Sequence, residues 1–568
     1  MVSSNKKGVQ LIVQQCVSNG VKHVVFSPGS RNAPFIIAFD NHPNIETHIV
    51  HDERSAAFFA MGMAQQLKDP VAIVCTSGSA VLNYYPAIAE AYYQGIPLVV
   101  ISADRPNEWV DQGDGQTIVQ TNVFQNHIQF SASFSDRDIS DEYLWFMERE
   151  LSKGFQLGLK DWKGPIHFNM SLSEPLYDIM EVDEIIPKQI ELITPSSKLN
   201  SSEESFITNV WNKSSKKLIL CGQLAQNKIL LDQLKELSGD TSVAILVENT
   251  SNLVHQMFVH CIDRTLNVIS EDEVMDYAPD LLITIGGAVV SKKIKSFFRN
   301  NKPKYHWKVG FDFPFMDTYQ SLTQSFKVDV VTFFNSINSL SVERNTSMFG
   351  AKWKQKDFEV QDKLAEFYDS LPYCDLKVFE TVMDYLPELS HLHMANSSVV
   401  RYCQLFDPIQ SIQYWSNRGT SGIDGSSSTA AGAAFVKKED WNVLITGDIS
   451  FFYDSNAFWN NYLTPNFRIF LINNDGGGIF KIIPGPSSTD QESTFVAPHG
   501  YSAEHLCKAF NLSYFKADSI QGIESQMEDF YTYEEGGRPK VMEINTSSIN
   551  NENYLKAFFE KTNDYYKG

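Results

Sequence analysis

Two polar segments in the last third of the chain follow apolar runs and contain oxygen ligands and glycines. Asp448 comes directly after WNVLITG, and Asn474 and Gly476 follow FRIFLIN in the sequence NDGGG. Carboxylate and amide oxygens suit Mg²⁺, and glycines let backbone groups approach a phosphate closely. The two segments together predict a site for a metal-bound phosphate, whereas Asn-Asp-Gly taken alone is also ordinary turn chemistry.

The spacing of these segments fits one crossover of a parallel sheet. Asp448 precedes Asn474 by 26 residues, which is enough for a strand end, a helix and the next strand. A right-handed crossover of this kind brings both side chains to the same carboxyl edge of the sheet. Two side-chain ligands and a backbone carbonyl near Gly476 then leave the other Mg²⁺ positions for phosphate oxygens and water.

The elements around these residues predict an α/β fold. Short Val/Ile-rich runs alternate with longer helical stretches almost throughout, a pattern typical of parallel sheets covered by helices. We expect three doubly wound parallel-sheet domains, at 1–185, 196–345 and 365–568, separated by polar or loose stretches around 181–205 and 339–375. The first and third share a rhythm of strand, small-residue loop and helix, which is consistent with one fold used twice.

Composition narrows the class of protein. The chain has 568 residues, 43% of them hydrophobic, and a formal net charge of −21, which argues against sequence-independent binding of nucleic acid. Its seven cysteines are scattered without a CxxC pair, which favours neither a zinc site nor a disulfide framework. No apolar signal core and no run of about 18 apolar residues occur, so we expect a cytoplasmic protein without a membrane span.

GDIS followed by INNDG resembles the diphosphate-binding motif of thiamin-diphosphate enzymes. The resemblance implies three-domain enzymes of that type, with thiamin diphosphate as cofactor and Mg²⁺, or Mn²⁺ in its place, as metal. The implied metal ligands are the side chains of Asp448 and Asn474 and the main-chain oxygen of Gly476. One departure is Ile449, since the superfamily usually has Gly after the Asp; that side chain is not a ligand.

The resemblance also implies a glutamate against the aminopyrimidine ring of the cofactor. HIVHDERSAAFFAMGMA supplies Glu53 between a β-rich lead-in and a helix that is apolar on nearly every side. In the superfamily this glutamate promotes loss of the reactive proton of the cofactor, which makes Glu53 the implied catalytic residue. It also belongs to a different subunit from the metal site, so the resemblance implies a homodimer or homotetramer with active sites at the interface.

The closer resemblance is to the 2-succinyl-5-enolpyruvyl-6-hydroxy-3-cyclohexene-1-carboxylate (SEPHCHC) synthases of menaquinone biosynthesis. It extends over nearly the whole chain, and its most specific stretches are SADRPNE and SNRGTSGIDG. SPGSRNAP, HDERSAAFFAMGMA, TSGSAVLNYYPA, NSSVVR and INNDGGGIF also carry it. The implied reaction decarboxylates 2-oxoglutarate and adds the remaining succinyl unit to isochorismate in a 1,4-addition.

Residue by residue, this resemblance implies a substrate site and a cofactor site. The implied substrate-binding residues are Ser30, Arg31, Arg105, Gln116, Ser397, Arg401 and Arg418. The implied cofactor contacts, besides Glu53 and the metal ligands, are Thr76, Ser77, Gly78, Ile423, Gly447, Ser450, Ile479 and Phe480. The four arginines have independent support, because guanidinium groups match carboxylates and the protein is otherwise acidic.

Other interpretations remain open at this point. An acetohydroxyacid synthase or another 2-oxoacid decarboxylase would keep the cofactor but act on smaller, mostly monoanionic substrates. A non-catalytic phosphate-binding protein lacks support, because neither GxxxxGK[ST] nor a complete GxGxxG fingerprint occurs. Lys292 and Lys293 are either a basic pair directed at the active site or a solvated helix start. The histidine pairs His48/His51 and His391/His393 are expected to be structural.

Overall fold

The computed structural model describes most of the chain. The described residues are 1–137, 139–183, 186–193, 198–340, 346–483, 485–547 and 549–567, with the backbone alone at 487 and 562–567. The predicted domain limits at 185, 196, 345 and 568 lie outside these residues, and the domain boundaries stay a prediction.

The described residues form nineteen strands, of which all but two belong to three parallel sheets. In chain order they are β1 (Val2–Ser4), β2 (His23–Phe26), β3 (Glu46–Ile49), β4 (Val71–Cys75), β5 (Leu98–Asp104), β6 (Phe130–Ser135), β7 (Ile166–Ser171), β8 (Ile179–Glu181), β9 (Lys217–Cys221), β10 (Val243–Val247), β11 (Leu281–Ile285), β12 (Tyr305–Val309), β13 (Gln324–Phe326), β14 (His391–Met394), β15 (Gln413–Trp415), β16 (Asn442–Gly447), β17 (Phe467–Asn473), β18 (Ser513–Ala517) and β19 (Lys540–Asn545).

Helices cover the sheets. Those of the first part are α1 (Lys7–Ser18), α2 (Ala33–Asp40), α3 (Glu53–Leu67), α4 (Ser79–Asn83), α5 (Tyr85–Gln94) and α6 (Asp141–Leu159). The middle of the chain contains α7 (Ser201–Lys213), α8 (Lys228–Leu237), α9 (Ile262–Asn267), α10 (Val274–Tyr277), α11 (Lys292–Asn300) and α12 (Val330–Ser339). The last part contains α13 (Phe349–Ser370), α14 (Asp375–Asp384), α15 (Ser398–Cys403), α16 (Ser426–Val436), α17 (Asp448–Tyr453), α18 (Ile479–Ile482), α19 (Glu492–Val496), α20 (Glu504–Ala509), α21 (Ile520–Glu524), α22 (Met527–Tyr531) and α23 (Asn551–Lys567).

The first and third sheets have the same topology. Their strand orders are β3-β2-β4-β5-β7-β6 and β15-β14-β16-β17-β19-β18, which is 2-1-3-4-6-5 in both when each sheet is numbered along the chain. The central sheet, β10-β9-β11-β12-β13, follows the same plan with one strand fewer. The prediction of three parallel α/β sheets is confirmed, and the shared rhythm of the first and third parts corresponds to a shared topology. The remaining two strands, β1 and β8, pair antiparallel.

The central strands are buried on both faces, as their continuous apolar composition predicts. Every residue of β4 and β17 is buried, and the helices on each side close over them. Because the strands of each sheet are parallel, the loops that follow them lie at one carboxyl edge, which is where open α/β sheets bind ligands. No helix in the described part of the chain combines the length and apolarity that crossing a membrane requires.

Helices α3 and α16 join the first and third parts at very close range. A Cβ atom added to Gly62 would lie 2.0 Å from the carbonyl oxygen of Thr429, and one added to Gly432 would lie 2.0 Å from that of Phe59. Only glycine permits such backbone contact. The nearly uniform apolar character of the helix after Glu53 follows from this position between two domains.

Candidate active site

A cavity of about 160 Å³ lies at the carboxyl edge of the third sheet, where β14, β16 and β17 end. The cavity brings together nine residues that the sequence analysis singled out. They are Ser397, Ile423, Gly447, Asp448, Ser450, Asn474, Gly476, Ile479 and Phe480. Segments far apart in the chain thus form one pocket, because parallel strands end side by side.

Asp448 begins α17 and is a buried carboxylate of this cavity. It is 2% exposed, and its oxygens accept hydrogen bonds from the backbone N–H groups of Ile449 (2.7 Å) and Gly476 (2.8 Å). His499 Nε2 lies 3.2 Å from Oδ2. Burial raises the pKa of Asp448, which these two N–H groups and His499 oppose. No lysine or arginine of the described residues pairs with it, so its charge lacks a strong counter-ion.

Asn474 and Gly476 follow β17 and face the same cavity. Asn474 Nδ2 donates to Asp375 Oδ2 (3.0 Å), which leaves the amide oxygen as the free ligand atom. Gly476 has φ +128°, and a Cβ there would lie 2.4 Å from the carbonyl oxygen of Val496. The glycine is therefore required by both backbone conformation and space.

Asp375 is a residue of this site that sequence reasoning missed. It opens α14, is 2% exposed, and accepts hydrogen bonds from Asn474 and from Thr546 Oγ1 (2.6 Å). Burial raises its pKa to about 6. Asp375 orients the amide of Asn474, and no local motif marks it, because it lies 99 residues before its partner.

The residues of the cavity fit a divalent cation with a diphosphate. The donors are oxygen atoms of a carboxylate, an amide and the backbone, a set suited to Mg²⁺. An added Cβ at Gly447 would meet nothing within 4 Å, so space remains beside the carboxylate. A bound cation would compensate the buried charge of Asp448.

Glu53 lies at the start of α3, in a segment held firmly to the third part of the chain. The preceding residue, Asp52, caps the helix by accepting from Arg54 N (2.9 Å) and also accepts from Asn456 Nδ2 (2.6 Å). Arg54 donates to the backbone oxygen of Tyr453 (2.7 Å). Burial raises the pKa of Glu53, its own backbone N–H opposes the shift, and Asp52 adds to it.

Glu53 does not line the cavity around Asp448. The described residues that do so all lie between 375 and 480, so none comes from the first sheet or its loops. Within one chain, Glu53 and the cavity around Asp448 are therefore separate.

The other predicted residues of the first part gather at the carboxyl edge of the first sheet. The backbone N–H of Arg31 donates to Thr76 Oγ1 (3.3 Å), and its guanidinium donates to Leu172 O (3.0 Å) and pairs with Glu174 (3.2 Å). Burial lowers the pKa of Arg31, and the neighbouring Arg105 lowers it further.

Gly78 and Gln116 touch in this cluster. Gly78 has φ +84°, and an added Cβ would lie 3.1 Å from the backbone of Gln116. Arg105 pairs with Asp114 (3.0 Å) in the same loop. Of the two predicted serines, Ser30 is exposed whereas Ser77 is buried.

Arg418, which is buried, and Arg401, which is half-buried, form a basic pair between the central and third parts. Arg401 donates to the backbone oxygen of Ser397, and Arg418 donates to Asn396 Oδ1 (2.7 Å). Burial lowers the pKa of both, and Arg401 lowers that of Arg418 further. Neither guanidinium forms an ion pair with a carboxylate of the described residues, so both remain available to an anion.

The central domain contributes a lysine that the sequence analysis did not consider. Burial lowers the pKa of Lys295, Glu248 opposes the shift, and Arg418 strengthens it, which places Lys295 within electrostatic range of the basic pair. Lys293 instead donates to Asn267 Oδ1 (2.8 Å), and Lys292 is exposed. Helix periodicity explains the difference, because neighbouring residues of α11 face different directions.

Of the histidines considered as metal ligands, His48, His391 and His393 are buried, whereas His51 is exposed. His48 lies 3.2 Å from His23, nitrogen to nitrogen, and the ligand atoms of these two and Glu46 lie within 4.8 Å of one another. Lys22 and Lys438 are close enough to oppose a bound cation. His391 contacts Asp440 (3.3 Å), while burial lowers the pKa of His393 to about 3. A structural role for these histidines stays our prediction.

Comparison with known proteins agrees with this geometry. Residues 6–132 match the family model described as "Thiamine pyrophosphate enzyme, N-terminal TPP binding domain". A 2-succinyl-5-enolpyruvyl-6-hydroxy-3-cyclohexene-1-carboxylate synthase of Flavobacterium johnsoniae is 41% identical over 560 residues, covering 97% of this chain and 98% of the relative. The chain belongs to this synthase family.

Other members of the SEPHCHC synthase family match over a similar span. The synthase of Christiangramia forsetii is 43% identical over 96% of this chain and 97% of its own length. That of Porphyromonas gingivalis is 34% identical over 98% and 97%, respectively. The family identified from the sequence motifs is therefore confirmed, and so is the thiamin-diphosphate enzyme fold.

Proposed function

We propose that this chain is a thiamin-diphosphate- and Mg²⁺-dependent transferase that makes SEPHCHC for menaquinone biosynthesis. It decarboxylates 2-oxoglutarate and adds the remaining succinyl unit to isochorismate. The observation that carries the proposal is the cavity around Asp448, which joins nine family-motif residues in a chain that aligns with SEPHCHC synthases over almost its full length.

The third domain would hold the metal and the diphosphate. Asp448, Asn474 and the backbone oxygen of Gly476 would bind Mg²⁺, or Mn²⁺ in its place, with Gly447 and Ser450 beside the phosphates. The apolar walls are Ile423, Ile479 and Phe480. Thiamin diphosphate supplies the electron sink that decarboxylation of a 2-oxoacid requires.

Glu53 would hold or move the proton on the pyrimidine ring. Its burial raises its pKa, which is the direction expected of a carboxyl group that takes part in proton transfer. Thr76, Ser77 and Gly78 follow the neighbouring strand β4 and would contact the cofactor from the same sheet edge.

The arginines would bind the carboxylates of the two dicarboxylate substrates. Arg418 is buried, Arg401 is half-buried, and neither forms an ion pair with a carboxylate of the described residues, so both guanidinium groups could pair with a substrate carboxylate. Arg31 and Arg105 would supply two further guanidinium groups at the first sheet, together with Ser30 and Gln116, where Glu174 and Asp114 now pair with the arginines. Ser397 lies beside Arg401 at the mouth of the acidic cavity.

A homodimer would complete the active site, with or without further pairing into tetramers. Its support is that Glu53 does not line the cavity of its own chain. Mixed oligomers of Glu53→Gln and Asp448→Ala subunits test this directly. If the two residues act across subunits, mixing restores up to about a quarter of normal activity, because one site per mixed dimer is intact. No recovery after verified subunit exchange would refute sharing of the site.

Titration of the apoprotein with thiamin diphosphate and Mg²⁺, followed by substrate assays, tests the activity. We expect product formation only with 2-oxoglutarate and isochorismate together. An acetohydroxyacid synthase or simple decarboxylase would instead release carbon dioxide from pyruvate alone at full rate, and that outcome would defeat the proposal. Failure to bind the cofactor at all would exclude both enzymatic interpretations.

A further inference from the structure

The loop that carries Arg418 is held by a buried carboxylate of the first domain. Glu90 lies in α5 and is 1% exposed. Its Oε1 accepts a hydrogen bond from Gly419 N (2.6 Å), and its Oε2 accepts two from Thr420, one from the backbone N–H and one from the hydroxyl (2.6 Å each). Both carboxylate oxygens thus accept hydrogen bonds from the two residues that follow Arg418.

The loop and α5 approach each other closely at Gly419. A Cβ added to Gly419 would lie 2.6 Å from the carbonyl oxygen of Glu90 and 3.0 Å from its Oε1. Any side chain at 419 would push the loop away from α5. Gly419 and Glu90 together therefore hold the loop against α5.

The central domain joins at the same point. Gln94, one turn after Glu90 in α5, donates to the Glu90 carboxylate, and its amide oxygen accepts from Gln223 Nε2 (3.1 Å). Gln223 also donates to the backbone oxygen of Ser416 (2.8 Å), two residues before Arg418. Glu90 of the first domain therefore holds the residues after Arg418, and Gln223 of the central domain holds Ser416 before it.

The guanidinium group of Arg418 forms no ion pair with a carboxylate of the described residues and is therefore available to a ligand. Glu90 acts on Arg418 electrostatically without pairing with it, because its oxygens face the backbone N–H groups of the loop. Arg418 Nε is buried and has no hydrogen-bond partner in the described part of the chain. A direct ion pair would compete with a substrate carboxylate, whereas this arrangement stabilises the loop and keeps the cation available.

We propose that Glu90 is a positioning residue for substrate binding: it holds the 416–420 loop so that Arg418 presents its guanidinium to a substrate carboxylate. The inference rests on the proposed function, because it takes Arg418 as a substrate-binding group. Glu90 does not touch substrate or cofactor, and it acts through the loop alone.

A mutant cycle on the full-length holoenzyme tests this role. The variants are Glu90→Gln, Arg418→Lys and the double variant, each assayed for kcat and for KM with each of the two dicarboxylate substrates. Glu90→Gln replaces one acceptor oxygen by an N–H₂ that faces a backbone donor, so we expect KM for one dicarboxylate to rise about tenfold or more. The change in kcat should stay within about threefold.

Two comparisons separate positioning from general structural support. Combined with Arg418→Lys, Glu90→Gln should add little further loss, because both changes act on the same contact. Thr420→Val removes only the hydroxyl bond and should raise the same KM by a smaller factor. Glu142→Gln, an exposed glutamate of the first domain, serves as the matched control and should leave both KM values unchanged.

Each outcome decides the matter. Normal KM values in Glu90→Gln beside an impaired Arg418→Lys, or fully additive losses in the double variant, overturn the role of Glu90 and leave the proposed function standing. Normal KM values in Arg418→Lys remove Arg418 from substrate binding and with it the positioning role of Glu90, whereas the proposed function fails only if the parent enzyme makes no product from the two substrates. If Glu90→Gln fails to fold, the cycle of Thr420→Val with Arg418→Lys decides by the same criteria.

Discussion

The first and third sheets have the same strand order, yet the loops at their carboxyl edges differ in chemistry. The cavity at the edge of the third sheet has a buried aspartate without a lysine or arginine partner among the described residues and a glycine-rich turn, whereas the edge of the first sheet has hydroxyls, ion-paired arginines and Glu53. A shared topology determines where polar loops meet, and the loop residues decide what they bind. The two edges are complementary halves of one proposed site, and each prediction below disturbs one half.

The largest effect is expected at the first edge, from Glu53→Gln. The amide cannot exchange the proton that we assign to Glu53, so turnover should fall by about 10²–10⁴ while cofactor binding is kept. Steady-state assays together with cofactor titration measure both properties. Glu46→Gln, an exposed glutamate just before the same helix, is the control, and normal turnover in Glu53→Gln would contradict the assignment.

The matching change at the third edge, Asp448→Ala, should act on binding instead. Loss of the buried carboxylate is expected to weaken Mg²⁺-dependent cofactor binding by about 10–100-fold or more. Calorimetric titration at several Mg²⁺ concentrations gives the affinity. Asp490→Asn, at an exposed position of the same domain, should bind normally. An unchanged cofactor affinity in Asp448→Ala would count against the metal assignment.

The contact that joins the two halves can be loosened without touching either edge. Gly62→Ala places a methyl group 2.0 Å from a backbone oxygen of α16, and Gly432→Ala does the same against α3. Each should lower the free energy of unfolding by about 1–3 kcal/mol, since neither backbone yields easily. Thermal unfolding measures the loss. Gly115→Ala, where an added Cβ meets nothing within 4 Å, should melt like the parent, and an equally stable Gly62→Ala would refute the packing argument.

The last effect concerns acid stability, for which the first and third sheets each contain a buried histidine. Burial lowers the pKa of His167 in β7 and of His393 in β14 to about 3. Between about pH 6.5 and pH 3 the unfolded chain binds more protons than the folded one, so acidification destabilises the fold. At about pH 5 each histidine should cost about 2 kcal/mol relative to neutral pH.

Gln variants of these two histidines test the sign. Each should lose less stability than the parent when the pH falls from about 7.5 to about 5, as measured by denaturant unfolding at both values. Since His167 and His393 lie in separate sheets, their effects should add. A variant that is more acid-sensitive than the parent would show that the histidine is protonated in the folded state.

Much of the fold and part of the site were predictable from local patterns. Apolar runs at β4, β16 and β17 predict buried parallel strands, and the polar residues after them, such as Asp448 and Asn474, predict the ligand edge. These signals succeed because strand burial and turn chemistry depend on neighbours in the chain.

Residues that act through distant partners escaped the same reasoning. Asp375 supports Asn474 from 99 residues away, and Glu90 reaches the Arg418 loop across more than 300 residues. On α11 the sequence singles out the lysine pair at 292 and 293, whereas in the structure the pKa of Lys295 is lowered by burial and by Arg418. A single buried acid or a third lysine has no signature in sequence, because its role depends on which surfaces pack together.

Amino-acid order alone was enough to predict the three parallel sheets, the family and the meeting of Asp448 with Asn474 at one sheet edge, since these depend on residue types and short spacings. The tertiary structure decided which carboxylates are buried, which arginines stay unpaired, and that Glu53 lies outside the cavity of its own chain. The physical reason is that burial and charge pairing are set by contacts between domains, and contacts of such long sequence separation leave no periodic pattern in a single chain.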